Sequence, residues 1–309
     1  MSRLTIVIPV FNESTLIAEL IKRVNINAQI VTPNYEIIII DDGSEDETWN
    51  KIKQEAIKDK RIKGIKFSRN FGHHYAITAG INAAECEWLV VMDGDLQDRP
   101  EVIPELYKKA QEGYEVVFVS RMNRPEKIYY RLAQKIFYQI LNLFSGLEFN
   151  SKHANFSIIK ENVVDAFNQF PENARFYVST IKWLGFKTIS IEANHGERFS
   201  GKPSYTLRKR FKLATDIILA FSNKPLRMIV YLGISLSIFS IFLVSILLIQ
   251  NKYILNLING KAFSTIAIFM IGGAILMVLG VTGIYIGNIY TQVKQRPLYV
   301  ISEKINFIE

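Results

Sequence analysis

The sequence holds one cysteine, Cys86, among 309 residues. An intrachain disulfide framework is therefore excluded, and the chain fits a reducing compartment. Cys86 precedes an apolar run and reads as a packing residue. No secretory leader is expected, because the apolar stretch Thr5 to Val10 is too short and Pro9 and Asn12 break it. The glycine-rich dinucleotide fingerprint is missing after that first run, and so is the Walker-type phosphate loop. The absence of any repeat of ~20–50 residues excludes a solenoid. Charge is absent from Met228–Gln250 and again from Ala262–Val293. Elsewhere cations outnumber anions, for a net charge of +8, which suits nucleic acid, an anionic membrane surface or a phosphate-bearing substrate.

What is present reads first as alternating strands and helices. Leu4–Val10, Tyr35–Ile40, Arg61–Phe67, Trp88–Met92 and Glu115–Ser120 are the expected strands, rich in β-branched and apolar residues. Helices are expected from Ser14 to about Asn27, from Asp46 to about Lys58, over Gly72–Ala84 and over Glu101–Glu112, with Ser14 and Ser44 or Asp46 as N-caps. This alternation predicts a doubly wound, mainly parallel α/β sheet. Ligands in such sheets sit at the carboxyl ends of strands. Asp41-Asp42-Gly43-Ser44 and Asp93-Gly94-Asp95 both fall there. Paired carboxylates with Gly94 between them offer hard oxygen ligands to Mg²⁺ or Mn²⁺, and the cation would hold a diphosphate. A plain Asp/Gly turn is the alternative for an isolated pair of this kind. The histidines His73, His74 and His195 lack a second ligand at helical spacing, so packing, capping or substrate contact suits them better than metal.

Arg124, Lys127, Arg131 and Lys135 recur at spacings of three, four and four, beside an apolar face formed by Ile128, Leu132, Ile136, Ile140 and Leu143. A helix over about 125–145 with that pattern suits a membrane interface. A second basic segment, 205–225, carries Arg208, Lys209, Arg210 and Lys212. The uncharged runs that follow are long enough for transmembrane helices at 228–250 and 264–290. That order of segments argues against nucleic acid as the partner. Lysines and arginines flank the outer ends of both runs, which puts both termini in the cytoplasm of a multi-pass plasma-membrane protein. Gly273, Gly280 and Gly287 recur every seven residues, and Gly283 with Gly287 forms G-x-x-x-G, so a homo-oligomer or tight helical hairpin is expected.

Ordered motifs then give a resemblance. Ile8-Pro9-Val10-Phe11-Asn12-Glu13, Ile40-Asp41-Asp42-Gly43-Ser44 with Asp46 and Thr48, Asn70-Phe71-Gly72, and Met92-Asp93-Gly94-Asp95-Leu96-Gln97 resemble family 2 glycosyltransferases of GT-A fold. The narrower likeness is to polyprenyl-phosphate glycosyltransferases such as bactoprenol glucosyltransferases and dolichol-phosphate mannose synthases. The resemblance implies a catalytic domain over 1–204, the membrane segments above, and a cytoplasmic tail at 291–309. It implies a nucleotide-diphosphate sugar donor bound by Pro9, Phe11, Glu13, Ile40, Asp42, Asp93, Gly94, Asp95 and Gln97, with Arg198 and Lys202 as cations on the diphosphate. Asp93 and Asp95 would hold the metal. Arg121 and Arg131, helped by Arg124 and Lys135, would grip the acceptor phosphate of a polyprenyl lipid in the bilayer. Asp95, Arg121 and Arg131 are the expected catalytic residues.

Two positions depart from that pattern. Asn155 stands in Ala154-Asn155-Phe156 where many bactoprenol glucosyltransferases have an aspartate, and an amide cannot take a proton as a carboxylate does. Ser204 stands where the family's usual lysine falls, with Lys202 two residues earlier. The expected reaction is non-processive, inverting transfer to polyprenyl phosphate for cell-surface glycan modification, from a UDP-glucose-like donor ahead of amino, deoxy or mannosyl sugars. An inactive scaffold or nucleotide-sugar binder is the alternative from another class. A processive polysaccharide synthase fits less well, because Val178–Trp183 keeps a tryptophan but lacks the glutamine and arginine of the synthase motif.

Overall fold

The computed structural model describes residues 2–121, 153–170, 176–193, 224–249 and 260–307, with positions 139 and 222. These fall into two compact units. The first is built on a sheet of eight strands in the order β7-β5-β6-β4-β1-β2-β3-β8. In chain order its elements are β1 (Ser2–Val10), α1 (Ile17–Val31), β2 (Tyr35–Asp41), α2 (Thr48–Lys58), β3 (Ile62–Phe67), α3 (His73–Ala83), β4 (Cys86–Val91), α4 (Ile103–Ala110), β5 (Val116–Arg121), β6 (His153–Lys160), α5 (Glu161–Asn168), α6 (Tyr177–Leu184), β7 (Thr188–Ala193) and β8 (Ile301–Ile305). The second unit contains the long helices α7 (Lys224–Ile249) and α8 (Gly260–Val293).

The continuous apolar runs follow from helices on both faces of the sheet. On one side Leu4, Ile6, Ile8, Trp88 and Val90 pack against α1, α2 and α4 through Leu20, Val24, Trp49, Ile52 and Leu106. On the other, Val7, Ile38, Leu89 and Val91 meet α3, α5 and α6 through Ile77, Phe167, Tyr177 and Ile181. Each such buried side chain contributes about 1.5–3 kcal/mol by leaving water, so the centre of the sheet is rigid.

The sheet is mainly parallel, as expected: six of its eight strands run the same way, while β6 runs antiparallel between β4 and β5 and β8 runs antiparallel to β3. The parallel block is β3-β2-β1-β4. Its order reverses between β1 and β4, and a crevice for ligands opens at such a switch point. A difference concerns α1: Leu16 stands at its N-cap with no side-chain cap bond, and the Ser14 amide instead donates to Asp46 Oδ2 at 3.3 Å.

The expected tail, described through residue 307, returns to the sheet. Tyr299 stacks on Phe67 with ring centres 4.9 Å apart. β8 then pairs with β3, and Trp49 Nε1 donates to Glu303 at 2.9 Å while Lys53 pairs with it at 2.6 Å. Asn306 donates to the carbonyls of Ala56 and Ile62 at 2.6 and 2.8 Å.

Among the described residues one helical segment, Ile271–Val293, is long and apolar enough to cross a bilayer. A helix also occupies most of the first expected span, at Lys224–Ile249. The interfacial segments expected at about 125–145 and 205–225 lie almost wholly outside the described residues.

Candidate active site

The loops that leave β1 and β2 are stitched to each other. Asn12 adopts a left-handed φ of 54°, which asparagine tolerates. Its amide donates to Ser44 Oγ at 2.9 Å, and its Oδ1 accepts from the Glu45 amide at 3.0 Å. The Glu13 amide donates to Thr48 Oγ1 at 2.9 Å. Asp46 accepts from the Thr48 and Ser14 amides and from the Thr48 hydroxyl. Burial pushes the Asp46 carboxyl up, but those hydrogen bonds outweigh it and hold the group below the usual range. Gly43 has φ 72°, and a Cβ there would meet the Arg69 carbonyl carbon at 2.3 Å. Only glycine fits, and its fit sets the turn after β2 against the segment that leads into α3.

Asp42 carries that contact further. Its Oδ1 accepts from the Phe71 amide at 2.7 Å, and its Oδ2 accepts from the Gly72 amide at 3.0 Å. The side chain is 4% exposed, and burial raises its pKa against the pull of those amides. Donor binding is the expected role of Asp42 and Ile40. In the structure Asp42 is a closed clamp on the start of α3, and Ile40 is fully buried beneath Gly80. Neither side chain faces solvent. Pro9 is also buried, Glu13 is half-buried, and Phe11 stands open at 42% exposure.

At the end of β4 the backbone turns tightly. A Cβ on Gly94 would meet Val10 Cγ1 at 2.6 Å and the Pro9 carbonyl oxygen at 3.1 Å. Glycine here lets the β4 turn approach β1 at the switch point. Asp95 Oδ1 accepts from the Gln97 amide at 3.0 Å, and the buried Asp98 accepts from the Asp93 amide at 3.3 Å. Leu96 sits at φ 58°, a costly conformation for leucine, with its side chain buried in the core. That burial holds the strained turn in place.

Asp93 gathers two neighbours that the sequence alone did not connect with it. His73 Nε2 lies 3.2 Å from Asp93 Oδ1, and Asn155 Nδ2 lies 3.4 Å from the same oxygen. The two nitrogens are 3.0 Å apart. Burial pulls the His73 pKa down, yet the facing Asp93 carboxylate, with Asp42 and Asp98 behind it, outweighs burial and raises it. His74, next in sequence, is driven down to about 4 by burial and by His73, so it is neutral. The antiparallel register Val91↔Ser157, continued by two residues, brings Asp93 opposite Asn155. The Asn70-Phe71-Gly72 motif ahead of α3 was the available signal for His73. Asn155 was marked by its place in Ala154-Asn155-Phe156, while its approach to Asp93 emerges only with β6.

The described residues contain no group of three or more His, Cys, Asp or Glu side chains arranged to hold a metal. The pair Asp93 and Asp95 still suits Mg²⁺ or Mn²⁺, since such ions are commonly held by one or two carboxylates together with substrate phosphates and water. Arg121 ends β5 and pairs in register with Ala193 of β7. Arg124, Arg131, Lys135, Arg198 and Lys202 lie outside the described residues.

Comparison with known proteins follows the same lines. The profile described as glycosyl transferase family 2 matches residues 5–170. An uncharacterized glycosyltransferase of Bacillus subtilis, YkcC, is 35% identical over 97% of this chain and 93% of its own. The undecaprenyl-phosphate 4-deoxy-4-formamido-L-arabinose transferase of Proteus mirabilis is 32% identical over 98% of this chain and 94% of its own. Among solved structures, the mannosyl-3-phosphoglycerate synthase of Rubrobacter xylanophilus superposes with a TM-score of 0.53 at 15% identity, covering 74% of each chain, a likeness of fold.

Proposed function

The chain belongs to glycosyl transferase family 2, and from that premise we propose that it transfers a single sugar, with inversion, from a nucleotide diphosphate to polyprenyl phosphate at the cytoplasmic membrane face. One observation carries this reading: a relative named for transfer to undecaprenyl phosphate aligns over 98% of the chain, long helices included. The carboxylates at the sheet's switch point supply the matching chemistry. The donor is a nucleotide-diphosphate sugar, with a UDP-sugar favoured. UDP-glucose and its kin are the first class, and a 4-deoxy-4-formamido pentose is the second, favoured by the name that relative bears.

Asp93 and Asp95 would hold Mg²⁺ or Mn²⁺, which when bound offsets the charge of the diphosphate. Phe11, Gln97 and the backbone around Gly94 line the donor's side of the crevice, with Arg198 and Lys202 on its phosphates. Arg121 and Arg131, with Arg124 and Lys135, orient the acceptor phosphate, because guanidinium groups hold phosphate in two-pronged fashion. An oxygen of that phosphate attacks the anomeric carbon as the bond to the diphosphate oxygen breaks. The electron pair leaves with the nucleoside diphosphate. The attacking oxygen is already anionic at neutral pH, so no side chain has to remove a proton, and Asn155 is compatible with turnover.

The helix over Ile271–Val293 anchors the chain, with 228–250 as a first crossing and both termini cytoplasmic. Gly273, Gly280, Gly283 and Gly287 have open space where a Cβ would stand, which suits close helix packing in a homo-oligomer. The test uses membranes carrying the protein, undecaprenyl phosphate and a panel of labelled UDP-sugars. A lipid-linked monosaccharide, released by mild acid, is the expected product, and Asp95→Asn lowers its formation at least ~100-fold. No product from any donor would favour an inactive binder, and long polymers would favour a processive synthase.

A further inference from the structure

The junction of α3, β4 and β6 brings Asp93 against side chains that the proposed reaction does not use. There one carboxylate oxygen, Asp93 Oδ1, is met by an imidazole nitrogen from α3 at 3.2 Å and by an amide nitrogen from β6 at 3.4 Å. The backbone that carries this amide is braced from the core. Ser157 Oγ donates to the Asn155 backbone carbonyl at 2.8 Å and lies 2.8 Å from the Tyr177 hydroxyl. Tyr177 and Ser157 are fully buried. A line of polar contacts therefore runs from α6 through β6 to the tip of β4, inside a rigid part of the sheet.

We propose that Asn155 is a positioning residue that fixes the Asp93 carboxylate by donating a hydrogen bond to it, a task that a carboxylate at 155 cannot perform. This rests on the assignment of Asp93 to the cation and diphosphate. Asparagine and aspartate have nearly the same shape, so the distinction is chemical. The asparagine amide carries two donor hydrogens, whereas an ionised aspartate only accepts. Aspartate at 155 would set a second negative oxygen about 3.4 Å from Asp93 Oδ1, in place of a donor. Groups that hold a ligating carboxylate in this way change metal affinity by roughly 10–100-fold when removed. The position thus works as an orienting amide, independent of proton transfer.

The experiment measures Mn²⁺ binding to the purified full-length protein in detergent, by the loss of the free-ion paramagnetic resonance signal, with no sugar donor present. Donor kcat and KM are measured alongside. Asn155→Asp and Asn155→Ala are each expected to weaken Mn²⁺ binding by about tenfold or more. Asn155→Ser, which keeps a short donor, should recover part of that loss. Ser157→Ala, which removes the brace and leaves the amide, should weaken binding less than Asn155→Ala does. Mn²⁺ bound by Asn155→Asp as tightly as by wild type, or more tightly, overturns the proposal and makes 155 a ligand or base position. Wild-type protein that binds no Mn²⁺ and transfers sugar equally well in chelator removes the metal assignment of Asp93, and the proposal falls with it.

Discussion

Asp46 shows how much of the site rests on single side chains remote from the crevice. It ties the loop after β1 to the start of α2. Its pKa is lowered in the folded chain, so its contribution is complete above the unfolded value of about 3.9 and is lost as pH falls through the folded one. Asp46→Ala should cost about 1 kcal/mol at neutral pH, as loss of a helix cap does, or ~3 °C in melting temperature. The gap between variant and wild type should hold steady from about pH 7 to 5 and close below about pH 4. Thermal melts across that range check it, and a gap that widens in acid would contradict the assignment. At this scale the sequence was partly legible. Asp93, Gly94 and Asp95 stand out because an apolar run ends on them. Asp42 stands out equally, yet its carboxylate serves the Phe71 and Gly72 amides. A letter shows that an acid is present, while its hydrogen-bond partners emerge only when distant loops meet. His73 and Asn155 were missed as a pair for that reason, being 82 residues apart.

Among the elements, the central strands were legible because both faces are buried, which leaves a continuous apolar signature in β1, β2 and β4. The strands that were missed are different. β7 is largely exposed and β8 has an exposed centre, so neither offers a clean period. β6 was hidden by its distance from the alternating region, so its antiparallel insertion between β4 and β5 was not foreseen. β8 has a measurable role, since it covers the open edge of β3 with backbone pairing, the Trp49 and Lys53 contacts to Glu303, and the two Asn306 bonds. At about 1 kcal/mol for each side-chain bond, removing residues 297–309 should lower the melting temperature by roughly 10 °C. It should also promote aggregation through the bared strand edge. Light scattering and melts of the truncated protein test this. An unchanged melt would make β8 an ornament.

For the molecule as a whole, the cysteine count becomes an experimental advantage. Cys86 is 3% exposed, and burial pushes its thiol up to about 11, so it is inert to labelling. A cysteine introduced anywhere else reports alone. If 228–250 and 264–290 both cross, Asn256→Cys should react with an impermeant maleimide in intact cells. Glu309→Cys should react only after the membrane is opened. Labelling of both positions from the same side would leave one crossing or none.

The returning strand also bears on how the molecule is made. β3 is synthesised early, whereas its partner at Ile301–Ile305 emerges only after more than 230 further residues, α7 and α8 among them. The sheet that carries Asp93 and Asp95 therefore stays unfinished while the apolar helices leave the ribosome. Closure of its last edge marks the moment when translation has passed them. A chain stalled within either helix would keep that edge bare, which gives proteases and chaperones a physical criterion for recognising incomplete copies.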